Sequence, residues 1–318
     1  TRHPPLPSRP MRRPNLFLCG APKAGSTSLH DYLDQHPDIF MSPVKEPNHF
    51  ASDLNITGED WRVHRRENYA ALFKDARDQT VVGESSIFYS FSRAAIPAAE
   101  QFSPGAKYIY LMRNPVDAVW SLHWQFVKTS NENKTRLADA LDAEPARAEG
   151  RELPPSVHNP AGLLYTRVYD YAQHLQHVRD AASPERVHVE LFEDLARDPA
   201  AVYARVLRFL GVDDAFRANF DIKNPARPVR NLPLRRFAAD KPLVKKTFVN
   251  LPAPIRGTIS KAAQLLIKDK TNRDTLEPAV ARRLVDFYEP KLPRLEEMLN
   301  RDLTVWRERW NKHLAEAT

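Results

Sequence analysis

Gly20 and Gly25 constrain this chain more than any other pair of residues. They stand in G-x-x-x-x-G spacing after a short apolar run, Leu16–Cys19, and before Ser26–Gln35, an amphipathic stretch with Leu29, Tyr32 and Leu33 on one helical face. The chain has 318 residues but only 9 glycines. Two of them placed this closely ask for a physical reason. Glycine lets backbone press against an anion or take positive φ. A strand, a glycine loop and a helix start together present unbonded amides and the positive end of a helix dipole to a phosphate. Lys23 adds a cation inside the loop, and Ser26, Thr27 and Ser28 add hydroxyls. In the Walker A pattern a lysine follows the second glycine; here Ser26 does, so the loop is a phosphate cradle of another kind or a plain strand-to-helix turn.

The same alternation recurs along the chain. Short apolar runs at 39–41, 80–83, 107–112 and 186–191 read as strands. Helical periodicity covers 67–77, 93–102, 116–128, 162–182, 199–210 (with Gly211 as its cap), 278–300 and 304–314, with one short helix expected near 137–141. Strand, turn and helix in repetition predict an α/β fold with a central, mainly parallel sheet flanked by helices. Residues 1–14, rich in proline and basic side chains, read as a flexible arm, and 15–318 as a single domain with 129–160 and 221–275 as insertions or lid segments.

Composition narrows the partners. The net charge of +7 suits a polyanion, but no motif of interleaved basic and aromatic residues supports nucleic acid. Cys19 is the only cysteine, which excludes an intrachain disulfide and a cysteine-built zinc site and points to a cytoplasmic setting, a truncated Golgi-type ectodomain being the other option. No apolar run approaches the roughly 20 residues that span a bilayer. His158, His174, His177 and His188 lack metal-ligand spacing, and no metal is expected. Trp120, Trp124 and Phe126 read as core on one helical face.

A second landmark is Tyr108–Phe126, where a strand delivers Arg113 to its tip and Ser121 lies two helical turns on. Together, GAPKAGSTSL (20–29) and RNPVDAVWS (113–121) resemble the 5′-phosphosulfate loop and the 3′-phosphate segment of the sulfotransferases that use 3′-phosphoadenosine 5′-phosphosulfate (PAPS). VKEPNHF (44–50) is similar to a motif of the glycan-type and bacterial branches, in which a Glu is the base. VGESSIFY (82–89), LFEDLARDP (191–199) and LNRDLTVW (299–306) also fit.

The resemblance implies a P-loop-like three-layer fold and sulfuryl transfer from PAPS to a hydroxyl or amine without a metal. Lys23, Ala24, Gly25, Ser26, Thr27 and Ser28 would hold the phosphosulfate, with Lys23 also catalytic. Arg113 and Ser121, with Arg230 as a lid, would hold the 3′-phosphate. Glu46 is the expected base, with His49 as its rival. Lys45, His49, Phe88 and Tyr89 are the expected acceptor contacts. Cytosolic small-molecule members place a catalytic His near the third strand; residues 84–91 have none, which favours a carbohydrate, glycolipid or glycosylated metabolite as acceptor. A small phenol or alcohol is the alternative, and a P-loop kinase a more distant one. Glycan-type relatives often carry a Lys where this chain has Ser85 or Ser86.

Overall fold

A computed structural model describes residues 12–56, 66–221 and 276–315. Among them, five strands form one parallel sheet in the order β2-β3-β1-β4-β5: β1 is Leu16–Gly20, β2 Ile39–Met41, β3 Val81–Ser85, β4 Lys107–Met112 and β5 Val187–Leu191. The helices are α1 Ser26–Leu33, α2 Ala95–Phe102, α3 Pro115–Lys128, α4 Leu137–Asp142, α5 Glu144–Ala148, α6 Tyr165–Val168, α7 Tyr171–Ala182, α8 Phe192–Arg197, α9 Pro199–Leu210, α10 Pro278–Tyr288, α11 Leu292–Leu299 and α12 Thr304–Ala315. The result is the three-layer, P-loop-like α/β architecture. β1 and β3 are buried along their whole length, as strands of a sheet covered on both faces must be. Among the described residues no helix is long and apolar enough to cross a membrane.

The sheet order fixes where a ligand can enter. From β1 the chain runs to β2 and β3 on one side, then crosses to β4 and β5 on the other. Open parallel sheets bind ligands at the carboxyl ends of the strands beside such a reversal. Gly20 of β1 is in register with Tyr110 of β4, so the glycine loop and Arg113 leave the sheet as neighbours.

The chain divides into two compact units. The first takes in the described parts of Thr1–Asp53, Gly58–Arg113 and Gln173–Asp221; the second those of Leu54–Thr57, Asn114–Ala172 and Ile222–Thr318. In the first, an aromatic cluster fills the space beside β1. Phe17 stacks on Tyr108 at 5.5 Å, and Phe50 packs edge-on against Phe17 at 6.0 Å and Tyr69 at 5.2 Å. Each such ring contributes about 1.5–3 kcal/mol by burial. In the second unit, Asn114 caps α3 by accepting from the amides of Val116 and Asp117 and also accepts from Trp310 Nε1 at 2.9 Å. The Arg147 guanidinium forks onto the Glu132 carboxylate with two 2.7 Å bonds, and Tyr165 donates to the same carboxylate at 2.9 Å.

Several elements differ from the sequence expectation for identifiable reasons. The helix expected over 162–182 is broken between Val168 and Tyr171. On a continuous helix Tyr169 and Tyr171 would stand roughly 200° apart; the break buries both, while Asp170 between them accepts from Lys291. The helix expected over 278–300 stops at Tyr288, because Pro290 cannot donate to the preceding turn, and restarts at Leu292. Residues 66–73 wind as a 3-10 helix instead of an α-helix. β3 extends past 83 to Ser85, which brings Glu84 and Ser85 into the sheet. Trp120 and Trp124 are only partly buried, whereas Phe126 is core. The segment 222–275 lies outside the described residues.

Candidate active site

The glycine loop owes its shape to two tight places. A Cβ on Gly20 would run into the Ser90 hydroxyl and stand 2.6 Å from the Tyr110 ring. Gly25 has φ +89° and is the N-cap of α1; a Cβ there would stand 2.9 Å from Leu195 Cδ2 and 3.2 Å from Phe192 Cδ2. No side chain caps α1, so the first-turn amides carry the orphan donors that suit an anion. Lys23 itself has φ 64°, a left-handed conformation that costs a non-glycine residue about 1–3 kcal/mol. Its carbonyl accepts from Arg113 Nη1 at 3.1 Å, and the Arg113 guanidinium lies 4.5 Å above the Phe192 ring. The loop, Arg113 and the start of α8 thus form one packed cluster.

The second part of the site is the 42–50 loop, which is laced to the end of β3. The Glu46 amide donates to Ser85 O at 2.7 Å, and the Ile87 amide donates to Glu46 Oε2 at 3.1 Å. Glu46 and Asn48 have φ 60° and 49°, so these hydrogen bonds hold a strained backbone. Lys45 Nζ donates to Thr27 Oγ1 at 2.8 Å, which sets this ammonium against the first turn of α1. His30, one turn further along α1, shares a 2.8 Å hydrogen bond with Ser85 Oγ. Burial first, and the Lys45 charge second, push its imidazole down to about 3, so it is neutral in ordinary buffers. An uncapped helix start, glycines that a Cβ would block, Lys23 in the loop and Lys45 brought to Thr27 from the 42–50 loop fit a bound phosphosulfate.

The family described as Sulfotransferase domain matches residues 13–296. The chain belongs to this family. Human heparan sulfate glucosamine 3-O-sulfotransferase 6 is 26% identical over 306 residues, covering 94% of this chain and 76% of that protein. Mouse carbohydrate sulfotransferase 15 is 22% identical over 301 residues, 80% of this chain and 53% of that one. Among solved structures, the sulfotransferase from Alicyclobacillus acidocaldarius matches with TM-score 0.69 and 27% identity over 93% of this chain and 99% of that one. The protein is therefore a sulfotransferase enzyme.

In this sulfotransferase the loop residues Lys23–Ser28, Arg113, Lys45 and Glu46 come together in the first unit. Ser121 lies on α3 in the second unit and is buried, with 6% exposure. Arg230 lies outside the described residues. Tyr89, expected at the acceptor, is a correction: it is fully buried against Phe17 and Phe50, and its hydroxyl accepts from the Phe50 amide at 3.3 Å. Phe88 is buried as well. His49 is partly exposed, and its ring lies flat on Tyr69 at 4.1 Å. Cys19 is packed, its thiol pushed up to about 12 by burial.

Sequence reasoning missed Phe192, Glu84 and His30. Glu84 alone left a legible trace, as an acid inside an apolar run. Phe192 matters because it is the surface that both Gly25 and Arg113 touch. Gly25→Ala should lower donor affinity at least about tenfold and stability by about 1–3 kcal/mol, since the new Cβ meets positive φ and displaces Leu195 and Phe192. Calorimetric titration with the desulfated donor checks this; unchanged affinity would show that the cradle tolerates a side chain.

Proposed function

We propose that the enzyme moves a sulfuryl group from PAPS to a hydroxyl or amine of a carbohydrate-type acceptor, with Glu46 as the base. One observation carries the reading. The residue before Glu46 touches the glycine-loop helix through the 2.8 Å contact of Lys45 to Thr27, which supports reading the Glu46 loop and the cradle as parts of one site. The likeness to relatives named for heparan sulfate and carbohydrate sulfation supports the acceptor class.

The roles divide by chemistry. The α1 amides, the hydroxyls of Ser26, Thr27 and Ser28, and Lys23 hold the phosphosulfate and take up the negative charge that grows on the bridging oxygen. Lys45 joins them as a second cation on the donor side instead of contacting the acceptor. Arg113 grips the 3′-phosphate with a forked contact; the matching role of Ser121 rests on the sequence alone. Glu46 removes the acceptor proton as the new S–O bond forms. Its Oε2 is held by the Ile87 amide, which orients the carboxylate.

Transfer of labelled sulfate from PAPS to a panel of glycans, simple glycosides and phenols tests the acceptor class. Transfer to phenols with no glycan product would overturn it. Arg113→Ala should weaken the donor about 10- to 100-fold while the acceptor KM holds, because a charge-assisted hydrogen bond is worth about 1.5–3 kcal/mol. Equal donor affinity in a calorimetric titration removes Arg113 from the role.

A further inference from the structure

Glu84 is 0% exposed, and it sits at the end of β3 beneath the loop that carries Glu46. Its Oε1 accepts from the Tyr69 hydroxyl at 3.1 Å and its Oε2 from Ser86 Oγ at 2.8 Å; the Tyr89 hydroxyl lies beside them. Two of these hydroxyls do a second thing. Ser86 Oγ accepts from the Asn48 amide at 3.0 Å, and the Tyr89 hydroxyl accepts from the Phe50 amide at 3.3 Å. The Asn48 amide is thus tied through the Ser86 hydroxyl to the buried carboxylate, and the Phe50 amide to the Tyr89 hydroxyl next to it.

We infer that Glu84 is a positioning residue: its carboxylate fixes the 46–50 loop, and with it the Glu46 side chain, through the hydroxyl of Ser86. An ionised carboxylate only accepts, so it commits the Ser86 hydroxyl proton inward and leaves that oxygen facing the Asn48 amide. A protonated Glu84 must itself donate, and the relay then loses its direction. Removing a buried acceptor leaves an unpaired donor, which is why the arrangement is stiff.

The groups around Glu84 determine when it ionises. Tyr69 faces it from the 3-10 helix, Tyr89 and Ser86 from the turn after β3, and Glu46 from the loop itself. His49 stacks on Tyr69, and Tyr108 of β4 lies near Tyr69. Burial dominates over the hydrogen bonds and pushes the Glu84 carboxyl up to about 7, with the Glu46 charge acting in the same direction. The relay is therefore complete above neutrality and loosens as pH falls.

The test uses the full-length enzyme with Glu84→Gln, Ser86→Ala and Tyr89→Phe. Amide exchange is read at Asn48 and Phe50, and kcat and donor KM are followed against pH. Ser86→Ala should cut protection at Asn48, and Tyr89→Phe at Phe50, each at least about tenfold, with kcat falling roughly tenfold and donor KM unchanged. Glu84→Gln should reduce protection at Asn48 and abolish the acid-side inflection near pH 7. Unchanged protection at Asn48 in Ser86→Ala overturns the inference, even if Glu84→Gln does not fold. So does a loss of donor affinity that matches the loss in kcat. The effect on turnover rests on Glu46 as base, whereas loop protection does not. Normal turnover in Glu46→Gln with altered protection in the relay variants would reject the base and keep the relay.

Discussion

Glu46→Gln should lose about 10²- to 10⁴-fold in kcat with donor affinity intact, the range that positioned proton transfer contributes. The amide matches the carboxylate in size and still offers an oxygen to the Ile87 amide, so the strained loop keeps its staple. What disappears is the ability to take a proton from the acceptor. The donor-side groups Lys23, Lys45 and the α1 amides are untouched, so titration with the desulfated donor should be normal. His49→Asn is the control. The His49 ring is engaged in stacking on Tyr69 at 4.1 Å, and its loss should cost far less turnover than that of Glu46. The reverse ranking would make His49 the base.

Arg147→Met should have the largest effect on stability, a loss of about 3–5 kcal/mol, because it strands a buried carboxylate. Both side chains of the Arg147–Glu132 pair are 0% exposed. Burial pushes the Glu132 carboxyl up, but the Arg147 fork, the Lys134 amide and the Tyr165 hydroxyl together hold it below its ordinary 4.5. A carboxyl depressed on folding contributes stability above its unfolded pKa and loses it as pH falls through the folded value. Without Arg147 the direction reverses, since Glu132 then gains a proton on folding. The deficit should thus be largest near pH 8 and shrink steadily as pH falls toward 4.5. Urea midpoints of both proteins at pH 8 and pH 4.5 measure this. An equal deficit at both would mean that lost packing, and not a stranded charge, is responsible. Replacing Glu132 with Leu in the same variant should recover much of the loss.

The parts of the site that were legible in the sequence are those whose chemistry is local. Gly20 and Gly25 could be read because a strand, a glycine loop and a helix start are contiguous, and an anion cradle needs little else. The place of Arg113 just past the strand could be read because the apolar run 107–112 ends there, whereas its part in the site came from the resemblance of 113–121. The breaks in the long helices were not legible. Pro290 gave a warning within the periodic pattern, but the break before Tyr171 depends on where two tyrosines find room and on Lys291 meeting Asp170. Tyr89 was misread as an acceptor contact because an aromatic residue near a site motif carries no sign of which way it faces.

The sequence by itself determined the alternation of strand and helix and the glycine loop between β1 and α1, since each follows from residues within one turn or one strand of each other. Only the tertiary structure decided what holds the cradle and the loop in place. Phe192 under Arg113, Thr27 against Lys45, Ser86 between Glu84 and the Asn48 amide, and Tyr89 on the Phe50 amide join segments from 18 to 79 residues apart in number. Such contacts depend on how strands are ordered in the sheet and on which polar groups burial forces together. Gly20 and Gly25 show the division most clearly. Their spacing signalled a phosphate loop, but the reason no side chain fits lies in Ser90, Tyr110, Phe192 and Leu195, which the fold brings from elsewhere.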